Sequence, residues 1–224
     1  MKGKIIVSLL FIAVILGMAS CRKEDSKPPV ITLNGSDSIF LPLPAVAGQG
    51  SYLDPGAVAE DEQDGNITGN IVVTNQVNPN RKGIYQVIYR VKDAAGNEAT
   101  KIRIVKVFNA SEKYARIYYN AVDSCGASGN NFISTVVSSD TVNRLVWIYN
   151  FGAYSNSIRV RATISDTGLT VPLGQYLDVG QTTWISAIYS PETGILNASA
   201  PSFRIKYQWS NGSTNGVCTS RYIP

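Results

Sequence analysis

Chemistry in this chain has few places to come from. There is no histidine among the 224 residues, which removes the commonest general base and the commonest neutral metal ligand. Acidic side chains crowd one loop, Glu60, Asp61, Glu62 and Asp64, with Asp54, Asp93 and Asn97 elsewhere. Clustered carboxylates suit Ca²⁺, which takes about six to eight oxygens, but the spacing is not that of an EF-hand loop. Asx turns in a solvated acidic loop account for the same residues. That is the preferred reading, so neither a metal nor a cofactor is expected. A carboxylate pair could hydrolyse a glycoside, yet the second half holds only Glu112, Asp123, Asp140, Asp166, Asp178 and Glu192, and no neighbour singles one out. No nucleophile elbow, phosphate loop or metal-ligand spacing occurs, so no catalytic residue and no enzyme is expected.

Aromatic side chains are the other resource. All three tryptophans (Trp147, Trp184, Trp209) and nine of the twelve tyrosines lie beyond residue 112. A ring can stack on the apolar face of a sugar while nearby Asn, Gln and Arg read its hydroxyls. The same rings favour strands and bury large areas, and their alternation in phase with apolar neighbours favours the core. Trp209 is the best placed for a ligand, because its strand runs into the polar loop Ser210 to Asn215.

The elements that must position these residues are strands. Charged residues are sparse at 16%, and Gly, Ser, Thr, Asn, Val, Ile and Tyr are plentiful, a β-sheet composition with turn residues between strands. Over residues 29–108, strands are predicted at Val30 to Leu33, Ser38 to Leu41, Ala57 to Glu60, Ile71 to Thr74, Ile84 to Lys92 and Ile102 to Val107. Tyr85, Val87, Tyr89 and Val91 share one face at period two. The apolar phase slips between Ile104 and Val105, which predicts a bulge or two partly covered faces. Short strands with regular turns describe a β-sandwich. Pro28-Pro29-Val30-Ile31-Thr32-Leu33, Tyr52-Leu53-Asp54-Pro55-Gly56-Ala57, Asp64-Gly65-Asn66-Ile67-Thr68, Gly83-Ile84-Tyr85 and Val91-Lys92-Asp93-Ala94-Ala95-Gly96-Asn97 occur in that order. This series resembles a bacterial immunoglobulin-like domain, a family found in surface lipoproteins, adhesin-like repeats and some insecticidal crystal proteins. The resemblance implies an Ig-like sandwich acting as spacer or interaction module, and no catalytic residue.

Residues 112–224 read as a second β-domain. Strands are predicted at Ala115 to Asn120, Phe132 to Val137, Leu145 to Asn150, Ile158 to Ile164, Leu169 to Leu173, Trp184 to Tyr189, Phe203 to Trp209 and Val217 to Tyr222. No helical period is present, so the fold class is all-β, a second antiparallel sandwich or a small barrel. Residues 108–114 make a short join. This half resembles, loosely, the C-terminal β-domains that follow such Ig-like modules in lipoproteins of Bacteroidetes.

The N-terminus fixes the compartment. Lys2 and Lys4 precede an apolar run of 15 residues, Ile5 to Ala19. That is shorter than the roughly 20 residues a spanning helix needs and fits the h-region of a secretory signal. Leu16-Gly17-Met18-Ala19-Ser20-Cys21 resembles the lipobox of bacterial lipoproteins. It implies that residues 1–20 are removed and that Cys21 carries the lipid, with residues 21–28 as tether. Acyl chains anchor at about 0.8 kcal/mol per buried CH₂. Lys23, Glu24 and Asp25 resemble the export signal of surface lipoproteins of Bacteroidetes. With Cys21 lipidated, Cys125 and Cys218 are left to pair, 93 positions apart. Closing that loop is worth up to about 4–5 kcal/mol in the chain-entropy model. Asp37-Ser38-Ile39 and Asp140-Thr141-Val142 resemble the O-glycosylation acceptor of the same phylum, which makes Ser38 and Thr141 candidate sites.

The net charge is only +4 with no basic stripe, so nucleic acid is not an expected partner. The expected partners are a membrane, through the lipid anchor, and a polysaccharide or envelope protein. The expectation is an outer-membrane lipoprotein, exposed at the cell surface or facing the periplasm. Its C-terminal domain would bind a glycan or other ligand; otherwise it is a structural or adhesion component that binds another protein.

Overall fold

The computed structural model describes residues 24–154, 159–164, 168–171, 175–176, 184–187, 194–197, 201–210 and 213–224, with backbone only at 175–176, 184–187 and 195–197. The signal segment 1–20, Cys21, Lys23 and parts of the turns expected near Ser155, Asp166, Pro191 and Asn211 lie outside the described residues.

Among the described residues every regular element longer than one turn is a strand. In the first half these are β1 (Val30–Leu33), β2 (Ser38–Pro42), β3 (Ala57–Asp61), β4 (Gly65–Asn66), β5 (Val72–Asn75), β6 (Gly83–Lys92) and β7 (Glu98–Phe108). They form a three-stranded sheet, β1-β3-β4, and a four-stranded sheet, β2-β7-β6-β5. The second half holds β8 (Ile117–Cys125), β9 (Ser128–Ser138), β10 (Leu145–Tyr149), β11 (Arg159–Ile164), β12 (Leu169–Thr170), β13 (Gln175–Tyr176), β14 (Trp184–Ala187), β15 (Gly194–Asn197), β16 (Ser202–Ser210) and β17 (Asn215–Tyr222). They form one antiparallel sheet in the order β12-β11-β10-β9-β8-β17-β16-β14-β13, with β15 also on β16.

Packing divides the chain into two units. One holds the chain up to Asp37, Pro55–Asn75 and Val87–Arg103. Its core includes Ile31, Ala59, Ile67, Val87, Tyr89 and Val91. The expected inward face of β6 is borne out here, with Arg90 and Lys92 exposed on the other side. The guanidinium of Arg103 is fully buried. It donates to the carbonyls of Ser36 at 3.0 Å, Asn34 at 2.6 Å and Gly56 at 3.2 Å, and to Tyr89 Oη at 2.7 Å. It also lies over the Tyr89 ring. A buried charge is tolerable when hydrogen bonds replace its hydration.

The other unit holds Ser38–Asp54, Gln76–Gln86 and Ile104–Pro224. Here β2 runs parallel to β7, in continuous register from Ser38↔Ile104 to Pro42↔Phe108. Of the two readings of the phase slip, the register with β2 shows no bulge between Ile104 and Val105, and the half-buried Ile104 fits two partly covered faces. Arg103, Val105 and Val107 are buried at period two, while Ile102 is exposed and Ile104 half-buried. The apparent slip came from a buried arginine on the core face.

The long sheet curls in a barrel-like way over one core. Tyr118, Val136, Val146, Ile148, Val160, Ile164, Phe203, Ile205 and Tyr222 all bury there. Phe203 stacks on Tyr222 with centroids 4.5 Å apart, and Tyr118 meets both rings edge-on at 5.7 and 5.8 Å. Such pairs add about 0.5–1.5 kcal/mol each beyond their area. The join is part of this unit. Asn109 is fully buried and its amide donates to the carbonyls of Ser139, Val142 and Leu145. Its Oδ1 accepts from the backbone N–H groups of Ser111 and Arg144.

Candidate functional site

Strand β10 reads Leu145-Val146-Trp147-Ile148-Tyr149, apolar on both faces. Val146 and Ile148 take the core, so Trp147 and Tyr149 must point outward and are half-buried. This corrects the expectation that Trp147 lies in phase with the core. Register places Trp147 opposite Arg161 and Val137, and Tyr149 opposite Arg159 and Thr135. The Arg159 guanidinium lies 4.4 Å from the Trp147 ring centroid and donates to Tyr149 Oη at 3.2 Å. Exposed Ile117, Ile133 and Val137 continue the same face on β8 and β9. The result is an outward aromatic strip with a planar cation held on it. An exposed cation–π contact is worth only about 0.5–1 kcal/mol, so a ligand ring can displace the guanidinium at low cost.

Trp209 has a structural task. It follows Phe203, Ile205 and Tyr207 in phase and packs against the core, only partly buried. It also pairs with Gly216 across the strands. A Cβ added at Gly216 would stand 2.7 Å from Trp209 Nε1, so the indole lies over bare glycine backbone. Covering a strand glycine with a cross-strand aromatic ring protects a weak point in the sheet. Trp184 lies in β14, opposite Ser210, and its side chain is outside the described residues.

The acidic loop separates on folding. Glu60 is exposed, and Glu62 forms an exposed ion pair with Lys27. Asp64 accepts from the Ala94 amide at 2.7 Å. Asp61 is buried, and its Oδ1 accepts from the amides of Gln63 and Asp64, an Asx turn of the expected kind. The same side chain meets Asp25 from the tether and Asp93 from the β6–β7 loop. Sequence reading did not bring these three together, because 36 and 32 positions separate them.

One acid of the second half is singled out after all. Asp123 is 6% exposed. It accepts from Tyr207 Oη at 3.0 Å and from the Ser220 hydroxyl. Burial pushes its carboxyl above the ordinary value, and those two hydrogen bonds oppose the shift. Beside it, Gly152 has φ +61°, and a Cβ there would stand 2.6 Å from Tyr207 Oη. The arrangement ties β8 to β16 and β17.

Cys125 and Cys218 form a disulfide across directly paired positions of β8 and β17. Ser38 and Thr141, the candidate acceptors, are both exposed, and Asp140 beside Thr141 pairs with Lys82 at 3.3 Å. Glu24 is exposed and Asp25 half-buried.

No curated protein matches the chain. Among solved structures, a lipoprotein from Bacteroides thetaiotaomicron is 16% identical with a TM-score of 0.33, covering 87% of this chain and 99% of its own. The CBM51-2 and INT domains of Clostridium perfringens ZmpB, in complex with GlcNAc, are 14% identical with a TM-score of 0.28, covering 87% of this chain and 43% of that one. The ZmpB M60 catalytic domain with CBM51-1 and CBM51-2 is 14% identical, with a TM-score of 0.29 and only 21% of that chain covered. Likenesses this weak say nothing of ligand or activity. The first half is another matter: residues 31–107 match the family described as bacterial surface protein, Ig-like domain.

Proposed function

We propose that this is a lipid-anchored binding protein of the bacterial outer membrane, exposed at the cell surface. In this reading the Ig-like domain is a spacer, and the C-terminal β-domain captures a glycan on the outward strip of Trp147, Tyr149 and Arg159. The lipobox-like segment ending at Cys21 and the surface-protein family match support the location. The observation that carries the binding reading is the outward Trp147, which the core does not need, held with Arg159 and Tyr149 in one ordered patch. A ring offers an apolar face, and the guanidinium fork offers donors to hydroxyls or a carboxylate. Trp209 is the weaker candidate, since it is committed to the core and to Gly216.

The full-length chain, purified in detergent, is screened against a glycan panel. Trp147→Ala and Arg159→Ala are expected to weaken any captured glycan by about tenfold or more, roughly 1.4 kcal/mol, with the melting temperature little changed. If no glycan is captured, the binding reading fails. If one is captured and Trp147→Ala leaves its affinity unchanged, the strip is the wrong site.

A further inference from the structure

Three carboxylates from distant parts of the chain converge in the Ig-like region. Oxygens of Asp25, Asp61 and Asp93 lie within 4.8 Å of one another. Asp61 is 8% exposed and Asp93 7%. The Oδ2 of Asp61 is buried with no hydrogen-bond partner among the described residues, while its Oδ1 is fully used by the Asx turn. An unpaired buried carboxylate oxygen is costly. Three ionised carboxylates this close also repel one another unless a cation or a proton sits among them.

The surroundings favour the cation. The Asn97 backbone amide donates to Asp93 Oδ1 and the Asn97 side-chain amide to Asp93 Oδ2, each at 2.8 Å, so both oxygens of Asp93 act as acceptors. Lys27 is close in sequence but is engaged with Glu62. The Asn97 amide bridges Asp93 Oδ2 at 2.8 Å and the Asp25 carbonyl at 3.2 Å, which holds the tether against the loop.

From this geometry we propose that Asp25, Asp61 and Asp93 form a Ca²⁺ site that clamps the tether to the Ig-like domain. Three carboxylates supply hard oxygen ligands, each binding through one oxygen or two, and water completes the six to eight that Ca²⁺ takes. Mg²⁺ demands near-ideal octahedral geometry and gives up its water reluctantly, so it fits a triad gathered from the tether, the end of β3 and the β6–β7 loop less well. The site takes only Asp61 from the acidic run in sequence: Glu60, Glu62 and Asp64 are not among the three converging carboxylates.

The full-length chain is stripped with a chelator and titrated with Ca²⁺ by calorimetry, with melting followed in parallel. Ca²⁺ is expected to bind with a Kd near that of extracellular modules, about 10⁻⁴–10⁻³ M. At about a hundred times that concentration it should raise the melting temperature of the N-terminal transition by about 10–20 °C. Asp61→Asn should abolish binding while melting no lower than the stripped wild type, because it removes one of the repelling charges. Glu62→Gln should bind like wild type. Should Asp61→Asn melt early, Asp25→Asn on the tether decides, with binding expected to weaken by at least about tenfold. The proposal is overturned if about 10 mM Ca²⁺ gives neither heat nor shift, if both Asn variants bind as well as wild type, or if Mg²⁺ serves equally.

Discussion

Asp93 and Asp123 are both buried carboxylates, yet their neighbours give them opposite pH signatures. Asp123 has been pushed up by burial, and the hydroxyls of Ser220 and Tyr207 only partly restore it. The folded state therefore holds this proton more tightly than the unfolded chain does. Its contribution to stability is fully present below the ordinary value of 3.8 and is lost as pH rises through the raised folded value. Asp93 has been pulled down, so its contribution is present above 3.8 and is lost as pH falls through its folded value. Asp123→Asn removes the first contribution and leaves the second. Melting of the two proteins should be compared from about pH 7 to about pH 4.5. Wild type is expected to gain on Asp123→Asn steadily as pH falls. A constant gap would mean that the Asp123 carboxyl is solvated, against its burial. Tyr207, which shares the site, is raised in turn, by burial first and by the Asp123 charge second, so it stays a neutral donor throughout this range.

At the scale of elements, the join is the segment whose importance the sequence least suggests. Asn109 is a single small amide, yet it satisfies three carbonyls and two N–H groups in the segment from Ser139 to Leu145 and in the join itself. The next residue but one, Ser111, donates to Arg144 and Ile164 carbonyls, and Arg144 itself sits at φ +62°. Asn109→Ala would strand several buried polar groups at about 1–3 kcal/mol each. A loss of about 3 kcal/mol or more is expected, read as a lower denaturant midpoint for the C-terminal core. Asn109→Asp should lose nearly as much, since a carboxylate accepts but cannot donate to the three carbonyls. A midpoint within about 0.5 kcal/mol of wild type would show that the segment finds other partners. Strands such as β6 and β16 were legible because one face is apolar and the other charged. Strand β10 was legible as a strand but not in phase, because Leu145 to Tyr149 is apolar throughout and only Val146 and Ile148 reach the core. Strand β7 misled for the converse reason: a buried Arg103 looks like a solvent residue until the carbonyls of Asn34, Ser36 and Gly56 are seen around it. The acidic triad was illegible because no local pattern joins Asp25 to Asp61 and Asp93; only the folded backbone does.

At the scale of the whole molecule, the question is which way the chain would face on the proposed anchor, and Asp25 belongs to both answers. It is the last residue of the export-signal resemblance, Lys23-Glu24-Asp25, and the tether's contribution to the carboxylate triad. The two roles come apart by substitution. Changing Lys23 and Glu24 to Ala leaves Asp25 free to serve the triad, whereas Asp25→Asn alone damages the triad and leaves most of the charged signal. Protease shaving of intact cells reads the first role. Native protein is expected to be cut, and the Lys23, Glu24, Asp25 triple alanine variant to be protected while still degraded in lysed cells. The double variant should be protected too if charge at 23 and 24 directs export. If native protein resists shaving on intact cells and is degraded only after lysis, the domains face the periplasm. Capture of an external glycan by Trp147 would then have no access to its ligand, and an envelope protein would be the partner to seek. Export that follows Asp25 alone, with the double variant still cut, would instead tie surface display to the carboxylate site. Chelating Ca²⁺ during growth should then reproduce the Asp25→Asn phenotype.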